Sequence, residues 1–225
     1  MRYRLPAILA PGMASPSSRP RLWRRLAPLV GILTALLGVT GSVISSSSPD
    51  PNASGAQVLA FYAAHSTAQS MGAFLQALGF IFFVFFAGVL RSRLRTTPGG
   101  EGLASLALVG AGILLVSEAV STGLSYTLAN SPSLSPDAAQ ALNVLSSGTL
   151  VGTSGTFIFT LSAGLAILID GSLPKWLGFV ALAMALLVLT PLEFLAFVIL
   201  VAWTIILSLW IFLHSGSVAP TPASP

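Results

Sequence analysis

The chain has 225 residues, 54% of them apolar and 7% charged, with ten Lys and Arg against six Asp and Glu. A soluble domain averages about 25% charged residues, so the composition excludes a water-soluble fold with a polar shell. The absence of cysteine also excludes disulfides, thiolate catalysis, iron–sulfur clusters and thiolate zinc sites.

Residues 1–22 are rich in Pro, Ser and Arg and hold one short apolar stretch, residues 5–10. That stretch is shorter than a signal-peptide core, so a disordered cytoplasmic tail is expected. Six hydrophobic runs follow, near residues 26–46, 70–90, 103–128, 148–169, 175–190 and 192–213. A hydrocarbon span takes about 20 residues, and six of them make residues 23–214 one membrane domain. Arg24 and Arg25 before the first run also fit a cleaved export signal. The run is nevertheless long enough to span, and the returning second helix needs a partner. Residues 215–225 are short, polar and Pro-rich, which predicts a second disordered inner tail.

All ten cations, Arg2, Arg4, Arg19, Arg21, Arg24, Arg25, Arg91, Arg93, Arg95 and Lys175, fall in the N-terminal segment or the even-numbered connections. Positive charge beside spans stays on the cytoplasmic side, so both termini are expected inside a plasma (inner) membrane. Nine of the ten are Arg, a bias that accompanies GC-rich bacterial genomes. These cations sit at headgroup depth, so the expected partner is the lipid bilayer, with another membrane protein as a candidate and no nucleic acid.

The first span carries Gly31, Ala35, Gly38, Gly41 and Ser42, small residues that let helices approach closely in lipid. Beyond it, Ser54 and Gln57 read as a capping box opening a short surface helix over residues 56–66, with an apolar stripe at Val58, Leu59, Tyr62 and Ala63. A similar unit follows the third span: Ser135 as N-cap, Pro136 at the first helical position and Asp137 at the positive helix end, before residues 138–146. The two units look like a faint duplication of a hairpin. Thr190, Pro191 and Glu193 read as a second capping box at the last outer turn, and Lys175 with Trp176 mark the inner start of the fifth span. The fold class is therefore an all-α, polytopic membrane bundle of six transmembrane helices with two short amphipathic helices on the outer side.

Four segments, residues 24–33, 47–65, 85–95 and 173–179, resemble an uncharacterised family of actinobacterial six-helix integral membrane proteins. The resemblance implies an architecture and carries over no functional residue.

Glu118 is the one acidic side chain inside a span. An ionised carboxylate at that depth costs several kcal/mol and no cation lies on a span to pair with it, so Glu118 is expected to be neutral. Ser121, Thr122 and Ser125 share its face at spacings of three, four and seven. By rise per residue, Gln76, Thr153, Ser154 and Thr156 fall at a similar depth. These eight residues define a candidate outward-facing polar cavity; the rival reading is a neutral Glu hydrogen-bonded to hydroxyls as helix glue.

Other chemistry is poorly supplied. His65 and His214 lie at opposite ends of the spans and cannot share a metal or haem, and no serine sits in a Gly-x-Ser-x-Gly elbow. No metal, cofactor or catalytic residue is expected. The sequence reads as an accessory or scaffold membrane protein without assignable activity, or alternatively as a binder or carrier of a small solute, proton or lipid.

Overall fold

The computed structural model describes residues 26–45, 47–147 and 150–214; the two expected tails, 1–22 and 215–225, lie outside the described residues. A 3-10 turn, Ala27–Leu29, leads into α1 (Val30–Ile44). It is followed by α2 (Gly55–Leu94), α3 (Pro98–Asn130), α4 (Pro136–Ser146), α5 (Leu150–Asp170), α6 (Lys175–Leu187) and α7 (Glu193–His214). No strand occurs among the described residues. Five segments, Ala27–Ile44, Gly55–Leu94, Pro98–Asn130, Pro136–Asp170 and Glu193–His214, are long and apolar enough to cross a membrane, and Lys175–Leu187 is a shorter apolar helix.

Side-chain caps set several of these boundaries. Ser54 and Gln57 close both halves of their box: the Ser54 backbone N–H donates to Gln57 Oε1 at 2.9 Å and the Gln57 N–H donates to Ser54 Oγ at 3.4 Å. Ser135 accepts from the Ala138 N–H at 3.3 Å, with Pro136 in the first turn. Thr97 caps α3 in the same way, accepting from the Gly100 N–H at 3.1 Å ahead of Pro98.

The surface helix expected at residues 56–66 runs into the following span without a loop, and the two helices that make up α2 meet at a kink at His65, which leaves helical geometry (φ −121°, ψ 17°). No Gly or Pro occurs between Gly55 and Gly72, so the junction is a kink in place of a turn. The second unit differs: α4 ends at Ser146 and α5 starts at Leu150.

Six helices pack in a ring, in the order α1, α2, α3, α5, α6, α7 and back to α1, while α4 packs on α2 and α3. Three pairs in the ring meet backbone to backbone, among them α5 and α6, where a Cβ on Gly164 would fall 2.9 Å from the Gly178 carbonyl oxygen. A Cβ on Gly41 would fall 2.8 Å from the Gly72 carbonyl oxygen, and one on Gly79 3.0 Å from the Gly38 nitrogen, so α1 and α2 touch without side chains between them. In α3 and α5, a Cβ on Gly110 would fall 2.4 Å from the Phe159 nitrogen, and one on Gly155 2.6 Å from the Leu114 nitrogen.

The main apolar core, including Phe83, Phe86, Leu90, Phe159, Ile167, Leu177 and Trp203, fills the ring from its middle toward the end that carries Arg91, Arg93, Arg95 and Lys175. At this cation-bearing end Asp170 ties the α5 terminus to the turn before α3. Its Oδ1 accepts from the Thr96 N–H at 3.1 Å and from the hydroxyls of Thr96 and Thr97. At the opposite end, Val58, Tyr62, Leu128 and Ala139 form a smaller core between α2, α3 and α4.

Candidate functional site

Beneath that smaller core lies a polar cavity of about 330 Å³, within the range of small-molecule sites. It is bounded by the end of α1, the loop at 47–49, the halves of α2 and α3 remote from the arginines, and the last turn of α4. Among the described residues, thirteen of the fifteen that line it are uncharged polar side chains, and none is charged. The void follows from residue size. The pairs α1–α2 and α3–α5 are each drawn tight by glycines, and the seam between them is faced with Ser42, Ser45, Ala73 and Ser121, too small to fill it.

The walls are hydrogen-bonded to one another. Gln76 Nε2 donates to Ser45 Oγ at 2.8 Å and Gln69 Nε2 to the Ser47 carbonyl at 2.7 Å, joining α2 to the end of α1 and its loop. Ser121 Oγ donates to the Ser146 carbonyl at 2.8 Å, joining α3 to α4, and Asn143 Nδ2 donates to the Asp50 carbonyl at 3.1 Å. The Tyr62 hydroxyl pairs with Ser125. A hydroxyl that donates still offers lone pairs, and an amide that donates keeps its carbonyl. The cavity therefore presents a fixed array of neutral acceptors with rotatable donors among them.

Of the eight residues expected at such a site, Gln76, Ser121, Thr122 and Ser125 line the cavity, whereas Glu118, Thr153, Ser154 and Thr156 do not. The polar face of α3 is divided between two neighbours. Glu118 lies along the α3–α5 contact, where a Cβ on Gly152 would fall 3.9 Å from its Oε1, and its backbone carbonyl accepts from Thr122 Oγ1 at 2.6 Å. Thr156 Oγ1 is buried and donates to the Gly152 carbonyl at 2.9 Å; Ser154 is exposed. Thr153 Oγ1 donates to Glu193 Oε2 at 3.3 Å.

That last contact corrects the expected capping box at Glu193. Thr190 Oγ1 accepts from the Leu192 N–H at 3.2 Å, and the Glu193 carboxylate reaches across to α5 instead of closing the box. The cavity also recruits residues that helical spacing alone did not single out: Ser42, Ser45, Ser47, Ser48, Tyr62, Gln69, Asn143, Ser146 and Ser147. Ser45, Ser47 and Ser48 and the pair Ser146–Ser147 carried the signal, since both groups adjoin the same end of the bundle.

Neither histidine lines the cavity. His65 stacks on Phe61, with Nδ1 2.9 Å from the Phe61 carbonyl, and His214 stacks on Trp210. Trp203 is buried, donating from Nε1 to the Leu177 carbonyl at 3.0 Å and meeting the Phe159 ring edge-on. Among the described residues no group of three or more His, Asp and Glu could hold a metal ion. No family model matches the chain, and no curated protein or solved structure matches it either. The family resemblance therefore gains no support, and the site is argued from its geometry.

Proposed function

We propose that this protein is a six-pass plasma-membrane protein, with both termini cytoplasmic, that binds an uncharged polar ligand in the cavity at its outer end. The neutral, hydroxyl- and amide-walled cavity carries the reading. Support for the sixth crossing comes from α6 and α7. The former starts beside the inner turn at Lys175, and the latter starts at Glu193, in contact with Thr153 near the outer start of α5. The 13 residues of α6 rise about 20 Å, and the turns through residues 188–192 complete the crossing. The cation split then sets the orientation.

A ligand with its own hydroxyls or amides suits these walls, whereas an anion or cation would enter without a counter-charge, at a cost of several kcal/mol. The test is a thermal-shift screen of the purified protein in nanodiscs against water-soluble neutral polyols and sugars, with glycerol and maltose first. A stabilising compound should lose about tenfold in affinity in Gln76→Met, which keeps the volume but removes the amide, and should be unaffected by Glu118→Gln. A screen without a stabilising compound, or one whose compounds ignore Gln76→Met, overturns the reading.

A second reading, an accessory protein that binds a partner helix, is favoured by Gly112 and Gly123 of α3. A Cβ at either meets nothing within 4 Å, which leaves α3 open to close approach from outside. Recovery of a stoichiometric partner from solubilised membranes, lost in Gly112→Leu, would establish it.

A further inference from the structure

The polar cavity has an apolar counterpart. A crevice of about 40 Å³ is lined by Thr34, Ala35 and Gly38 of α1, Gly79, Phe80 and Phe83 of α2, Leu114 of α3, and Phe197, Leu200, Val201 and Thr204 of α7. One water needs roughly 10–15 Å³ of such space, so at rest the crevice has room for about three. It flanks the contact between α1 and α7. Helices α1 and α7 meet tightly at Gly31, where a Cβ would collide with Ser208 Oγ, but a Cβ on Gly38, two turns further out, would meet nothing within 4 Å.

The two spaces share the same helix faces. On α1, Gly38 of the crevice lies one turn below Ser42 of the cavity; on α2, Phe80 lies one turn below Gln76; on α3, Leu114 lies two turns below Ser121. One turn is about 5.4 Å, so the crevice stands directly beneath the cavity along α1, α2 and α3. Together they grade from hydroxyls and amides at the outer boundary to Phe, Leu and Val at mid-membrane depth.

We infer that the outer cavity receives the uncharged, hydroxyl-bearing headgroup of an amphiphile from the outer leaflet, whose apolar chain descends into the crevice between α1, α2 and α7. This deepens the binding reading above and rests on it. Headgroup chemistry alone would also suit a free polyol; only the crevice beneath calls for a chain. The neutral walls disfavour a phosphate or a fatty carboxylate, which leaves glycerol-like and glycosyl headgroups.

The test uses 1-oleoylglycerol with a diazirine in its chain, photolysed with the full-length protein in phosphatidylcholine nanodiscs and mapped by peptide mass spectrometry. Saturable labelling of Phe80, Phe197 or Val201 is expected, displaced by unlabelled 1-oleoylglycerol and not by oleate. Gly38→Leu projects a side chain into the open crevice, and Val201→Trp narrows it from α7. Each should weaken saturable labelling by about tenfold, the effect of losing burial of roughly two methylenes, at unchanged thermal stability. Labelling that never saturates, or that ignores both variants, marks annular lipid and overturns the inference. Maltose or glycerol binding that Gln76→Met abolishes and Gly38→Leu leaves intact would keep the cavity as a site for a free polyol and still overturn the amphiphile. Failure of every probe would remove both readings.

Discussion

Asp170 shows how one carboxylate joins two turns at the cation-bearing end. Its Oδ1 accepts from Thr96 and Thr97. Asp170→Asn should lower the thermal midpoint in detergent by the equivalent of about 1 kcal/mol; an unchanged midpoint would show that these bonds do not brace that end. Glu118, more conspicuous in the sequence, has the quieter place: it lies along the α3–α5 contact and outside the lining of the cavity.

For the helices, the legible features were those written locally. Ser54 with Gln57 and Ser135 with Pro136 fixed two starts, and the glycines of α1 foretold its close approach to α2. What spacing could not reveal was which neighbour each face meets. Residues 118, 121, 122 and 125 share one side of α3, yet that side is divided between α5 and the cavity, a partition set by the ring order and by Gly110 and Gly155 on the α3–α5 seam. The junction inside α2 was hidden for the opposite reason: the hydropathy signal ends near residue 70 and does not register that the surface helix before it joins the span through a kink at His65 with no loop between them. Backbone contact at the α3–α5 seam makes a sharp prediction. Gly155→Ala, whose Cβ meets the Leu114 nitrogen at 2.6 Å, should destabilise by about 1–3 kcal/mol. Gly112→Ala, with open space around it, should stay within about 0.5 kcal/mol of the parent. Equal melting shifts for the two would contradict the packing described.

The described part of the molecule divides into a dry half and a hydrogen-bonded half, with Arg91, Arg93, Arg95 and Lys175 at the dry end. Because the chain lacks cysteine, single replacements report topology without background. On the proposed orientation, Asn52→Cys, in an exposed loop, should react with a membrane-impermeant maleimide on intact cells, and Arg95→Cys only after permeabilisation. The reverse pattern would invert the bundle and place the cavity in the cytoplasm.

Two glycine-welded planks, α1 with α2 and α3 with α5, thus face each other across a serine-soft seam while greasy aromatics clamp their far ends. Above that seam the small core of Val58, Tyr62, Leu128 and Ala139 bridges α2, α3 and α4, so the two planks are braced at both ends and the void between them is held at a set width.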